Sequence, residues 1–287
     1  MYQIVKNYRE NEHLRHSFNE LAVKTFGINF EDWYQNGYWT ERFNPYSVVV
    51  DNKIVANVSV NRTPFVINGK EKHYIQLGTV MTDVEHRNKG YIRKIMEEID
   101  KDYADCVDGM YLFANNSVLD FYPKFGFRTM KQYEYIKMLE GEVQQLFVHV
   151  PMDDKKDWDK LEAKIRTCYA QSAMELVDNS QLNMFYVSKY MQGNVYYSEE
   201  LEAYVIAEIE NAALTIYMVI SDKEQDLNLI AKGFGKEIQW VVLGFTPKNP
   251  CGFEVRKMNC DDTTMFIKGD LAEIEVLQLM VPLLAHA

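Results

Sequence analysis

Three residues suited to binding an anion, Arg87, Lys89 and Gly90, separate an apolar stretch ending at Val80-Met81-Thr82 from a segment where Ile92, Ile95, Met96 and Ile99 recur at helical spacing. The order predicts a strand, a basic loop (Arg87, Asn88, Lys89, Gly90) and a helix starting near Tyr91. The first N–H groups of a helix have no partner within it, and the aligned peptide dipoles add partial positive charge there. Glycine lets a ligand come close to the backbone, and a guanidinium or ammonium adds full charge, so the pattern suits a phosphate or pyrophosphate.

Further on, YLFANNSVLDFYPKFGF combines a short apolar strand, Asn115, Tyr122 seven residues later, and Gly126-Phe127. A tyrosine O–H can protonate a leaving group; the alternative for Tyr122 is an aromatic packed beside Phe121, Phe125 and Phe127. Together the two stretches resemble the GNAT acetyltransferase family, whose loop motif Arg/Gln-x-x-Gly-x-Gly/Ala corresponds to Arg87-Asn88-Lys89-Gly90-Tyr91-Ile92. Ile92 stands where the family carries a small residue, and Pro123 where it carries a charged one.

The resemblance implies an α+β GNAT fold, with a mixed, largely antiparallel central sheet flanked by helices, and acetyl-CoA as acyl donor. It assigns Arg87, Asn88, Lys89, Gly90, Tyr91, Ile92 and Asn115 to the CoA, and the backbone of Val80, Met81 and Thr82 to the pantetheine and the thioester carbonyl, which it polarises as an oxyanion hole does. Tyr122 is then the acid that protonates the departing thiolate. The acceptor is a primary amine, which must lose a proton before it attacks: a small cationic amine, an aminoglycoside-like compound or a peptide terminus. Glu31, Asp32, Glu41, His73, Asp83 and Glu85 are candidate bases, each equally readable as a solvated surface residue, and a faint similarity to larger tandem acetyltransferases adds the carboxylate of Ala287. His86 reads as an exposed neighbour of Arg87. The rival reading is a noncatalytic acyl-CoA-binding or protein-interaction module, which Ile92 and Pro123 would permit.

These residues need elements to position them. Leu14, Phe18, Leu21, Ala22 and Phe26 predict an amphipathic helix stopped by Gly27. YSVVVD and KIVANVSVN predict a hairpin about Asp51-Asn52, and PFVINGKEKHYIQLGTVMT two more strands about Asn68-Gly69. GMYLFA reads as a strand, NNSVLDFY as a short helix, and GFRTMKQYEYIKM as one strand that closes a first domain. The charged segment GEVQQLFVHVPMDDKKDWDK reads as a linker, giving domains 1–144 and 145–287.

The second half repeats the order: the helix DWDKLEAKIRTCYAQS, the hairpin AYVIAEIENAALTIYMVIS, the helix DLNLIAKGF and the strand EIQWVVLGF. Where the first half has its basic loop, the second has the acidic SDKEQDLN, and KGFGKE follows a helix instead of opening one, so it reads as a turn. With the aromatic segment EDWYQNGYWTERFNPY, these paired halves resemble tandem-GNAT proteins whose second domain is degenerate. The aromatics Trp33, Tyr34, Tyr38, Trp39 and Phe43 fit either an acceptor pocket or a core cap.

With 287 residues, 47% of them hydrophobic, the chain is long enough for two cores. Residues 1–144 hold 18 Lys and Arg against 20 Asp and Glu and the rest 13 against 22, so the net charge of -11 divides as -2 and -9. Such acidity argues against nucleic acid. The sequence has neither an apolar run of about 18 residues nor the apolar core of a signal peptide, which predicts a cytoplasmic protein without membrane contact. Cys106, Cys168, Cys251 and Cys260 form no CxxC pair, so no metal site or disulfide framework is expected. The apolar tail VLQLMVPLLAHA either completes the chain's own core or forms a homodimer interface.

Overall fold

The structure, a computed structural model describing residues 1–259 and 262–286, contains two β-sheets. The chain opens with β1 (Tyr2–Val5), α1 (Glu12–Phe26) and the short α2 (Glu31–Gln35), then three antiparallel strands, β2 (Phe43–Val50), β3 (Lys53–Ile67) and β4 (Lys70–Thr82). The helix α3 (Tyr91–Tyr103) crosses to β5 (Gly109–Ala114), which pairs parallel with β4, and β6 (Arg128–Met130) and β7 (Tyr133–Met138) follow. Next come β8 (Val148–His149), α4 (Lys155–Thr167), β9 (Met174–Leu176), α5 (Ser180–Lys189), β10 (Val195–Ser198), β11 (Ala203–Glu210) and β12 (Ala213–Ile220). The helix α6 (Leu227–Lys232) then leads to β13 (Trp240–Leu243), β14 (Glu254–Lys257), β15 (Thr264–Gly269) and α7 (Ala272–Val276).

The first sheet runs β1-β2-β3-β4-β5-β15-β6, with β9 added to β3, and the second runs β8-β10-β11-β12-β13-β7-β14. Both contain one parallel pair joined through a helix, β4 with β5 through α3 and β12 with β13 through α6. Each takes its next strand from the other half of the sequence: β15 lies between β5 and β6, and β7 between β13 and β14. A cut at 144/145 therefore crosses both sheets. The expected closing strand 126–138 is two strands in two different sheets, and the expected linker contains β8 and the start of α4, capped by Asp154.

Local chemistry explains most of these elements. Asn11 caps α1 by accepting the Leu14 N–H (3.1 Å), and Gly27 ends it at φ +71°. Phe18, Leu21 and Ala22 are buried as their spacing requires, whereas Phe26 at the last turn is exposed. The two segments expected as KIVANVSVN and PFVI are the single strand β3, which passes through Pro64. Arg62 and Pro64 direct their backbone groups to the same side, where Arg62 N–H donates to the Arg42 carbonyl and Val177 N–H to the Pro64 carbonyl. On that side β2 ends opposite Asn61 and β9 begins opposite Phe65, so the proline breaks no ladder.

On one face of the first sheet Ile95, Met96 and Ile99 of α3 pack on Val58, Val60 and Leu77. The other face is covered by α1, α2, α5 and the C-terminal segment. Trp33, Tyr38, Trp39 and Phe43 are core residues there, not a pocket wall, and Tyr34 is half-buried against the Arg15 guanidinium (3.7 Å). The tail completes the chain's own core: Leu279, Met280, Val281, Leu284 and Ala285 are buried within it. Cys106 and Cys251 are exposed and Cys168 half-buried, while Cys260 lies outside the described residues. Among the described residues no helix is long and apolar enough to cross a membrane.

Phe266 of β15 is buried in the α3-side core against Tyr122 (ring centroids 5.5 Å). Phe266→Ala is expected to cost about 3–5 kcal/mol in urea unfolding and to unfold both halves in one transition, because its strand belongs to the first sheet and its neighbours in sequence to the second. The tail also adds a pH dependence. His286 stacks on Phe113 (3.8 Å), and burial lowers its pKa to about 4. Its folded pKa is depressed, so the unfolded chain binds the extra proton first; the stabilisation present above pH ~6.5 is lost as pH falls toward 4. Wild type should therefore lose more stability between pH 7 and 5 than His286→Phe does, as read by thermal melts.

Candidate functional site

The loop after β4 carries backbone conformations that leave donors unpaired. Val84–His86 form a 3-10 turn capped by the Asp83 carboxylate, which accepts the Glu85 N–H (3.0 Å). Asn88 (φ +61°) and Gly90 (φ +75°) then adopt left-handed conformations before α3. No side chain caps this helix, and its first internal bond runs from Lys94 N–H to the Gly90 carbonyl (3.3 Å). The N–H groups of Tyr91, Ile92 and Arg93 therefore have no intrahelical acceptor. A Cβ at Gly90 would meet no atom within 4 Å, so the glycine is needed for its φ and for open access to the backbone. Arg87, Asn88 and Lys89 are exposed around it, and Arg87 reaches back to the Thr82 carbonyl (Nε to O, 3.5 Å).

The strand before this loop is open on one side and bulged on the other. β4 and β5 pair only over Tyr74–Gln76 and Gly109–Tyr111, then diverge, so residues 78–82 have no strand partner on the β5 side. On the β3 side the register shifts between Asn57 and Ser59: Thr79 and Val80 together oppose Val58, a bulge in β4 with Thr79 at φ +41°. Val80, Tyr91 and Ile92 pack against the same core cluster that contains Tyr122. The bulky Ile92 is half-buried against that core.

The expected helix over NNSVLDFY is two 3-10 turns, Asn116–Val118 and Tyr122–Phe125, because Pro123 lacks the N–H that would continue one helix. Asn115 caps the first turn: its side-chain oxygen accepts from the Ser117 N–H (3.0 Å) and hydroxyl (2.5 Å), so that oxygen is engaged locally. Tyr122 is buried among Phe121, Phe127 and Phe266, and its hydroxyl has no hydrogen-bond partner among the described residues. Burial pushes its pKa up to about 12, which keeps the proton on oxygen at neutral pH.

The base candidates are scattered. Glu31 is paired with Arg15 (3.1 Å), Glu41 lies 3.7 Å from Arg9, His73 is exposed beside Glu71, and Asp32 and Glu85 are exposed. Asp83 is held below its usual pKa, first by its hydrogen bond from Lys24 (2.7 Å) and then by the Glu85 N–H. His86, expected as exposed, is half-buried with its ring against Tyr91 (6.4 Å). The carboxylate of Ala287 lies outside the described residues. Sequence patterns missed Glu175, whose carboxyl burial raises to about 7 and which lines two cavities. It pairs opposite Val66, eight residues along β3 from the bulge, which at ~3.3 Å per residue is about 26 Å from the bulge.

The second sheet has the corresponding position, between β12 and α6, in a different state. Asp226 caps α6 by accepting the Asn228 N–H (2.8 Å), and Glu224 and Asp226 line the cavity there. Carboxylates occupy the place where the first sheet presents free N–H groups.

Residues 7–130 match the family profile described as "Acetyltransferase (GNAT) domain". Three solved structures share the fold. One is a conserved protein of unknown function from Enterococcus faecalis V583, described as "Probable N-Acyltransferase" (TM-score 0.59, 16% identity, covering 94% of this chain and 72% of that one). Eis1 from Mycobacterium abscessus gives a TM-score of 0.58 at 13% identity, over 92% of this chain and 73% of its own. A GCN5-related N-acetyltransferase from Kribbella flavida gives 0.56 at 13% identity, over 94% and 71%. No curated protein sequence matches the chain significantly.

Two substitutions separate the roles of Gly90. Gly90→Ala has space for its methyl group, so it should cost about 1 kcal/mol through φ alone and leave the N–H groups accessible. Gly90→Asp places a carboxylate at the free N–H groups, and on the acyl-CoA reading proposed below it should weaken acetyl-CoA binding by roughly 100-fold or more in calorimetry, whereas Gly90→Ala should not.

Proposed function

We propose that this chain transfers an acetyl group from acetyl-CoA to a primary amine, using the loop and strand end of its first sheet. The observation that carries the reading is the uncapped start of α3 behind Gly90, set next to a strand whose edge is opened by the β4–β5 divergence. The N–H groups of residues 91–93, with Arg87 and Lys89, would hold the pyrophosphate. Extended pantetheine would pair with the backbone of Val80, Met81 and Thr82 on the side that β5 leaves open, and polar groups there would also polarise the thioester carbonyl. Asn115, whose side-chain oxygen is already engaged, is left its amide nitrogen for the cofactor.

In this reading the neutral amine attacks the thioester carbon, the C–S bond breaks, and the sulfur takes the proton of Tyr122. A phenol with a raised pKa remains a proton donor throughout the neutral range, so ionisation of Tyr122 would not limit activity below about pH 11. The acceptor's proton leaves to solvent, and the Tyr122 phenolate takes a proton back from solvent. An acetyl-CoA donor suits a cytoplasmic chain, and in this reading the second half, a degenerate GNAT-like domain, supplies structure and no second acyl site. The acidic charge of that half favours a cationic acceptor.

The second reading, a noncatalytic acyl-CoA-binding module, is favoured by the break at Pro123, which replaces the expected helix before Tyr122 by two short turns. Acetyl-CoA turnover against a panel of amines decides between them. Tyr122→Phe is expected to lower kcat by about 100- to 1,000-fold with acetyl-CoA affinity kept within roughly 3-fold. Wild type that binds acetyl-CoA and transfers its acetyl group to no amine would establish the second reading instead.

A further inference from the structure

The bulge in β4 is built around a threonine in a conformation that threonine resists. Thr79 has φ +41°, and a β-branched side chain crowds the backbone in the left-handed region more than any unbranched one. Such a conformation persists only where its surroundings hold it. The surroundings here are polar and closed. Asn57, fully buried on β3, donates its side-chain Nδ2 to the Thr79 carbonyl (3.0 Å), with a weaker contact to the Thr79 hydroxyl (3.3 Å). The same amide group reaches the Ser59 hydroxyl (2.9 Å), to which the Thr79 hydroxyl also donates.

The orientation of Asn57 is fixed from behind. Its Oδ1 accepts the Ser47 hydroxyl (2.8 Å), and Ser47, having given its proton, accepts from the Tyr8 hydroxyl (2.7 Å). The order Tyr8, Ser47, Asn57, Thr79 allows one assignment of the carboxamide, with nitrogen toward Thr79, because a carbonyl can only accept. Tyr8, Ser47, Asn57 and Ser59 are all buried, and the residues on the opposite face of β3 are Ala56, Val58 and Val60. A polar row is therefore placed in an apolar core where the ladder register breaks and a backbone carbonyl needs a donor.

We propose that Asn57 is a positioning residue: it clamps Thr79 in the left-handed conformation and so fixes the strand end, Val80 to Thr82, that faces the opening toward β5. Its catalytic consequence rests on the acyltransfer reading, in which this backbone polarises the thioester; the clamp itself does not. Replacing Asn57 releases the bulge, and the amides at the opening lose their fixed direction without any change at the loop or at Tyr122.

The test compares Asn57→Ala, Asn57→Asp and Asn57→Ala/Thr79→Gly with wild type, by steady-state acetyl transfer and by crystal structures. Asparagine to aspartate keeps size and the Ser47 contact while removing the donor, and it serves if the alanine variant does not fold. Both single variants should lose about 10- to 100-fold in kcat with KM for acetyl-CoA within roughly 3-fold, and Thr79 should leave positive φ. Glycine adopts positive φ without a clamp, so the double variant should recover at least about 10-fold of the lost kcat, which a packing defect at Asn57 would not allow. Thr79 remaining at positive φ in the single variants overturns the clamp, as does a double variant no faster than Asn57→Ala. If wild type acetylates no amine, the acyltransfer reading fails on its own, and the Thr79 conformation still decides the clamp.

Discussion

The pairing of β15 with β5 is the constraint on which the rest of the structure depends. Six residue pairs, Thr264 with Ala114 through Gly269 with Gly109, bring a strand from near the C-terminus into the first sheet. The approach is close enough to demand glycine on both strands. A Cβ at Gly109 would fall 2.2 Å from a Leu271 methyl, and one at Gly269, which has φ +93°, 2.8 Å from the Asp108 carbonyl. Lys268 then ties the strand to α3 through both oxygens of Asp100 (2.7 Å), and Phe266 supplies one wall of the pocket that keeps Tyr122 protonated. The tyrosine's environment, begun by its neighbours Phe121 and Phe127, is thus completed by a residue more than a hundred positions away in sequence.

Because β7 makes the reverse passage into the second sheet, neither half can complete a sheet alone, and the two are locked as one unit. Their difference lies at the start of the helix after the parallel pair's first strand. Gly90 leaves three N–H groups without acceptors, whereas Asp226 satisfies its helix and adds negative charge. One sheet presents free N–H groups at this helix start and the other presents carboxylates, although both have the same strand order. The free donors of α3 carry an energetic cost that a capped helix avoids, which is consistent with their use by a ligand.

Much of the first half was legible in sequence because its signals are local. Asn52, Asn68 and Gly69 mark hairpin turns, Gly27 ends α1, and Gly90 marks the loop, each through a positive φ that depends on a few neighbouring residues. The aromatic segment near Trp33 was ambiguous for the opposite reason: its role as core depends on Phe185 and Gln181 of α5, which stack on it and accept its indole N–H. The short strands β9 and β14 carry too few residues for a period to show, and the pairing partners of β9, β14 and β15 are distant in sequence.

The sequence by itself determined the basic, glycine-containing loop, the helix it opens, the order of strands around it and the acidic replacement at the matching place in the second half, since all four follow from residue type over a few positions. Tertiary structure alone decided which strands share a sheet, where Tyr122 is buried, that the tail closes the chain's own core, and that Thr79 is held in an unfavourable conformation by Asn57. The physical reason is one of range. Caps, turns and charges act between near neighbours, while ladder pairing and burial are settled by whichever distant segment can satisfy the free edge or the apolar face, and residue spacing carries no record of that choice.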